Sequence, residues 1–183
     1  KKIKKFNKIV LSTDNKQFLK YNKEYSNIFF LERPRKISQD ETKMSEVIKH
    51  ALEYFKSKNY FFDAITILQP TSPFRKVSTI NNAIFKFKRF KPDYLASITS
   101  LKKNQSPKMI LKQKNNNFFQ KMKFKNNTKN QKYYCLDGGV IFIHKVPKKN
   151  YELEGKGLFT KVEFPENIDI NDMNDLDIAK KFI

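Results

Sequence analysis

The stretch from Ala64 to Arg75, A-I-T-I-L-Q-P-T-S-P-F-R, constrains this chain more than any other. An apolar run (Ala64, Ile65, Ile67, Leu68) breaks off at a polar turn in which Pro70 and Pro73 bracket Thr71 and Ser72. A short β-branched run of this kind reads as a strand buried on both faces of a sheet. Proline has no N–H to donate to a ladder, so the strand must end at Gln69 or Pro70. Ligands of open α/β sheets bind beyond the carboxyl ends of the strands. Gln69, Thr71, Ser72 and Arg75 therefore stand where a substrate would lie. The spacing is equally compatible with a plain strand–turn–helix connection in which Ser72 or Ser78 caps the next helix.

The segments before this stretch repeat its logic. Phe6–Ser12 reads as a strand ending in Ser12-Thr13-Asp14, with Asp14 or Asn15 capping a helix from Gln17 to Tyr25. Ile28–Leu31 is a second apolar run, closed by Glu32-Arg33-Pro34, and Pro34 biases Arg33 towards extended backbone at the strand end. A helix is expected from about Lys43 to Lys58, with Met44, Val47, Ile48, Ala51, Leu52 and Phe55 on one face. Another is expected over Val77–Phe90. Alternating strands and helices argue for a parallel sheet with helices on both faces. Right-handed crossovers would then gather Asp14, Arg33 and Gln69 on one rim.

Tyr94–Ser100 reads as a further strand, after which the composition changes. Lys102 to Lys132 is dense in Lys, Asn and Gln, with apolar patches at Met109–Leu111 and Phe118-Phe119 around the turn formers Asn115-Asn116-Asn117. This reads as a protruding hairpin whose apolar patches a second copy of the chain would cover. Asp137-Gly138-Gly139 introduces a strand over Val140–Ile143, and the glycine pair permits close backbone approach. Phe159–Phe164 reads as a strand and Met173–Ile183 as the final helix. Between them, Asp169 and Asn171 face one way in an extended segment and Asp172 the other. An acid here, opposite a triphosphate, could hold Mg²⁺, which takes one or two carboxylates plus substrate phosphates. Asp172 serves equally as the cap of the last helix.

Composition excludes more than it identifies. The 183 residues suit one domain with a core of its own, and no apolar run approaches the ~20 residues needed to span a bilayer. No apolar stretch follows the basic start in the manner of a signal peptide. The single cysteine, Cys135, fits a reducing cytoplasm and reads as a buried structural thiol. His50 and His144 have no partners at metal-ligand spacing; His50 reads as structural and His144 as incidental. There is no G-x-G-x-x-G and no Walker motif. The formal charge of +20 invites nucleic acid, yet arginine, the usual reader of base edges, occurs only at 33, 35, 75 and 89. A nucleic-acid partner is the weaker reading, because a small polyanion such as a nucleotide needs only a few of these charges.

Six segments together resemble the acylneuraminate cytidylyltransferase family, the synthetases of CMP–sialic acid and of other CMP–nonulosonic acids. They are I-V-L-S-T-D (9–14), E-R-P (32–34), V-I-K-H-A-L-E (47–53), L-Q-P-T-S-P-F-R (68–75), D-G-G-V-I-F-I (137–143) and I-D-I-N-D (168–172). The resemblance implies a Rossmann-like nucleotide-diphospho-sugar transferase fold, a three-layer α/β sandwich with a mostly parallel sheet. It implies that CMP passes from CTP to a nonulosonic sugar acid with Mg²⁺ assisting, for surface polysaccharide such as lipopolysaccharide. Asp14 and Arg33 would bind nucleotide, Gln69 the acceptor sugar with Thr71, Ser72 and Arg75 nearby, and Asp169 the metal. Asp169 and Gln69 are the expected catalytic pair. The arm at 102–133 would form a homodimer.

The chain departs from the family in three places. The second metal-site acid falls on Asn171, a neutral and weaker ligand, which only a register shift to Asp172 would replace. The Arg and Asn that precede the G-V-I-F-I-type strand fall on Leu136 and Gly138. The family's first strand and its triphosphate loop have no counterpart, so the chain reads as N-terminally truncated. That strand would lie centrally, so the chain alone is expected to be unstable or to leave a strand-wide gap between residues 9–12 and 65–68. A relative that binds nucleotide without turnover is the alternative these departures raise.

Overall fold

The computed structural model describes residues 6–21, 25–101, 111–115, 118–121, 133–148 and 151–183. The chain divides into two compact units, Lys1–Ile65 with His144–Lys156, and Thr66–Ile143 with Gly157–Ile183.

In the first unit, β1 (Val10–Thr13) pairs in parallel with β2 (Phe29–Glu32), from Val10 opposite Phe29 to Thr13 opposite Glu32. Between them, α1 (Lys16–Lys20) starts at Asn15, whose Oδ1 accepts the Gln17 N–H at 2.9 Å and satisfies one orphan donor. A 3-10 turn over Arg35–Ile37 follows β2. The apolar spacing of α2 (Met44–Lys56) buries Ile48 and Phe55. Phe55 is the hub of an aromatic cluster, edge-on to Phe29 at 5.2 Å, Tyr54 at 5.4 Å and Phe62 at 5.6 Å. Such edge-to-face pairs add about 0.5–1.5 kcal/mol each beyond area burial. His144 is a core residue of this unit, 2% exposed and edge-on to Tyr151, not an incidental one. Its position after an apolar strand was the available signal.

In the second unit, α3 (Val77–Phe90) buries Ile80, Ala83 and Ile84. It stops at Lys91, which adopts a left-handed conformation (φ 45°) just before Pro92. β4 (Tyr94–Ser100) is the sheet's most buried strand, with β9 (Gly157–Lys161) parallel to it and β7 (Tyr134–Leu136) antiparallel. β5 (Leu111–Asn115) and β6 (Phe118–Lys121) form the expected antiparallel hairpin, with a register break between Gln113 and Asn115. The rest of the 102–133 arm, apart from Tyr133, lies outside the described residues. The short α4 (Met173–Lys180) ends the chain.

β3 (Ala64–Ile67) and β8 (Phe142–Lys145) complete a five-stranded sheet of order β3-β8-β4-β7, with β9 also on β4. This sheet is mixed, not mostly parallel. β7 and β8 follow one another along β4: Leu136 stands opposite Ile98, and the Ile141 carbonyl accepts the N–H of the next residue, Ser97, at 3.0 Å. Residues 137–140 bulge out without reversing the chain, so β8 keeps the antiparallel sense of β7. A parallel strand would have needed a crossover of a dozen or more residues. β1 and β3, expected to be kept apart, belong to different sheets.

Candidate active site

The bulge at 137–140 organises the site. Asp137 is buried, and its Oδ1 accepts the N–H groups of Gly139 (3.0 Å) and Val140 (3.2 Å) and the Ser97 hydroxyl (2.9 Å). Ser97 Oγ in turn accepts the Ile141 N–H at 2.9 Å, which stitches the bulge to β4. Gly138 and Gly139 take φ values of +90° and +132°, where a side chain is strained. Their missing side chains are also needed sterically. A Cβ on Gly139 would stand 2.6 Å from Gln69 Cδ, and one on Gly138 would stand 2.3 Å from Asp169 Oδ2. Gln69 and Asp169, 100 positions apart, therefore rest on adjacent glycines.

Arg75 grips the same bulge. Its guanidinium donates from Nε to the Val140 carbonyl and from Nη2 to the carbonyls of Gln69 (2.7 Å) and Gly139 (3.3 Å). Burial lowers the Arg75 pKa, and the charge of Asp137 opposes that shift. Proposed from sequence to face substrate, Arg75 spends these donors on backbone. Ser72, another expected substrate contact, is 1% exposed, and its hydroxyl has no hydrogen-bond partner among the described residues. Thr71 contributes its carbonyl, which accepts the Ile170 N–H at 2.9 Å and ties the turn after β3 to the 168–172 segment.

In that segment, the Asn171 side-chain amide donates to Asp169 Oδ2 at 3.1 Å, while Asp169 Oδ1 is buried without a hydrogen-bond partner among the described residues. Asp172 caps α4: its Oδ1 accepts the Asp175 N–H at 2.9 Å, and Asp175 Oδ2 accepts the Asn171 N–H at 3.0 Å. Of the three expected metal ligands, Asp172 is thus engaged as a cap.

Asp14 and Arg33 meet in the first unit, because the parallel β1–β2 pair brings its carboxyl ends together. Arg33 Nη2 lies 3.4 Å from Asp14 Oδ1, and its Nε donates to Ser38 Oγ at 3.1 Å. They line an open depression of about 420 Å³ with Lys16, Glu32, Pro34 and Arg35. Lys16 and Arg35 were not singled out from sequence, although each lies two residues from an expected contact. Gln69 and Asp169 belong to the other unit.

The cytidylyltransferase family model matches residues 1–156. The chain belongs to the cytidylyltransferase family. It is 25% identical to the N-acylneuraminate cytidylyltransferase of Escherichia coli over 184 residues, covering 95% of this chain and 41% of that protein. It is 36% identical to the CMP-N,N'-diacetyllegionaminic acid synthase of Legionella pneumophila over 76 residues, covering 42% of this chain and 33% of that protein. The chain thus spans well under half the length of the curated relatives it matches. Among the described residues, no helix is long and apolar enough to cross a membrane.

The residues of this chain fit the expected Mg²⁺ in part. Asp169 presents a buried carboxylate oxygen that no group among the described residues satisfies, the kind of group a cation would satisfy. Asn171 brings a neutral amide, and among the described residues no group of three or more His, Cys, Asp or Glu side chains is assembled. That donor set suits an ion held by one carboxylate together with nucleotide phosphates.

Proposed function

We propose that this chain forms the nucleotidyl-transfer domain of an enzyme that moves CMP from CTP to a nonulosonic, sialic-type sugar acid. The anomeric hydroxyl oxygen of the acid bonds to the α-phosphorus, the bond to the bridging oxygen breaks, pyrophosphate leaves and the hydroxyl proton is released. The observation that carries the reading is the seating of the Gln69 amide and the Asp169 carboxylate on one two-glycine bulge. Gln69 would bind and orient the sugar acid, which converts part of the entropic barrier into binding. Arg33, with Lys16 and Arg35, would bind the nucleotide. Asp169 would hold Mg²⁺, which when bound neutralises charge on the phosphate oxygens.

The same reading takes the chain as one nucleotidyltransferase domain with the three-layer sandwich of its family. It works in the cytoplasm and pairs with a second copy through the 102–133 arm. The test is pyrophosphate release from CTP and Mg²⁺ with a panel of nonulosonic acids. Release with one of them, abolished in Asp169→Ala and Gln69→Ala, is expected; no release with any overturns the reading. A second reading, nucleotide binding without turnover, is favoured by the Asn171 amide that donates into Asp169 Oδ2. It predicts CTP binding that Arg33→Ala abolishes, with no pyrophosphate from any acid.

A further inference from the structure

We infer that Asp137 and Arg75 are paired positioning residues, which clamp the 137–140 bulge from opposite sides and thereby set where Gln69 and Asp169 stand. The peptide between Gly139 and Val140 carries the argument. Its N–H, on Val140, goes to Asp137 Oδ1 at 3.2 Å, and its C=O, on Gly139, accepts from Arg75 Nη2 at 3.3 Å. The N–H and C=O of a trans peptide point in opposite directions, so the carboxylate and the guanidinium hold this plane at both ends. The Gly139 N–H adds a second bond to Asp137, and the Val140 carbonyl a second bond to Arg75.

The clamp reaches the two site residues by direct paths. Arg75 also binds the Gln69 carbonyl, which fixes the Gln69 backbone against the bulge it packs on. Gly138 and Gly139 approach Asp169 and Gln69 so closely that a rotation of the bulge must move both. Each bond of the clamp has a charged partner, which makes it stronger than a neutral one. Asp137 is buried, so its bonds are shielded from solvent. Neither residue needs to touch substrate. Their effect on turnover rests on the function proposed above; their hold on the bulge does not.

The test combines amide hydrogen exchange and NMR with kinetics on the full chain. In Asp137→Ala, exchange at Gly139 and Val140 is expected to rise about tenfold or more. The Ala83 and Ile84 amides of α3 should keep their wild-type rates. Asp137→Asn, which retains an acceptor oxygen, should restore most of that protection. In both, and in Arg75→Lys, the side-chain amide resonance of Gln69 should shift. Where the wild type releases pyrophosphate, Asp137→Ala and Arg75→Lys should lower kcat about tenfold or more, with KM for CTP within about twofold, and Asp137→Asn should recover most of that loss.

Unchanged exchange at Gly139 and Val140, or a rise shared equally by α3, overturns the inference. So does an unmoved Gln69 resonance. If Asp137→Ala does not fold, Asp137→Asn and Arg75→Lys decide through the Gln69 resonance. A wild type that releases no pyrophosphate counts against the proposed function alone, and the exchange and resonance measurements still decide the positioning role.

Discussion

Gly138→Ala puts a number on the contact between the bulge and Asp169. Backbone at φ +90° costs an L-residue about 1–2 kcal/mol even in open space. The new Cβ would also stand 2.3 Å from Asp169 Oδ2, against the 3.4 Å at which ordinary contact begins, so the carboxylate must retreat by about 1 Å. Asp169 is only half-buried and can swing, at the expense of its bond from the Asn171 amide, about 1 kcal/mol. The total is about 2–3 kcal/mol, or a melting temperature lower by about 5–10 °C for a chain of this size. A catalytic group displaced by about 1 Å can lose about 100-fold in turnover. The assays are thermal unfolding, repeated in an Asp169→Gly background, and pyrophosphate release by the single variant. In that background the steric part disappears and the cost of Gly138→Ala should fall to the strain alone. Equal costs in the two backgrounds, or full activity in the single variant, would refute the proposed contact.

Three further outcomes are expected. Asp172→Ala should lower the stability by about 1 kcal/mol through loss of the α4 cap, while the Mg²⁺ concentration giving half-maximal pyrophosphate release stays unchanged; a shift in that midpoint would make Asp172 a ligand. Thr79→Val removes the hydroxyl that donates to the buried Glu166 carboxylate at 2.8 Å and should cost about 1.5–3 kcal/mol in urea unfolding, whereas the exposed Lys76 partner contributes under about 1 kcal/mol. Burial, reinforced by the charge of Lys148, lowers the His144 pKa from 6.5 to about 4. The unfolded chain therefore takes up this proton first as pH falls. The stability is complete above the unfolded pKa, drops as pH falls from 6.5 towards 4, and has lost about 2 kcal/mol by about pH 5. Urea midpoints across that range should follow this slope in the wild type and flatten in His144→Phe.

The fold was legible wherever local pattern and local punctuation agree. α3 and β4 run over the residues that their periodicity marks, because Pro92 and Lys91 separate them sharply. The Asp14–Arg33 meeting was legible too, since parallel pairing of β1 and β2 follows from the strand–helix–strand pattern. β8 was expected over Val140–Ile143 and is found at Phe142–Lys145. Val140 and Ile141 are fully buried, but they belong to the bulge and the residue after it, and hydrophobicity reports burial without reporting a ladder. β7 was missed for the converse reason: it is a three-residue edge strand with Tyr134 and Leu136 exposed, so no alternation marks it.

The identity of the site residues could be read from the chain, but their division of labour could not. Gln69, Asp169 and the glycine pair stand out by type and position. That Arg75 turns to the carbonyl of Val140, 65 residues away, and that Asp172 is taken by a helix cap, depends on which backbone groups folding leaves without partners. Periodicity records which side of an element is hidden. Which charge answers which buried dipole is decided only when distant segments pack, because an unsatisfied polar group in the interior costs about 1–3 kcal/mol and the nearest suitable side chain is drawn to it.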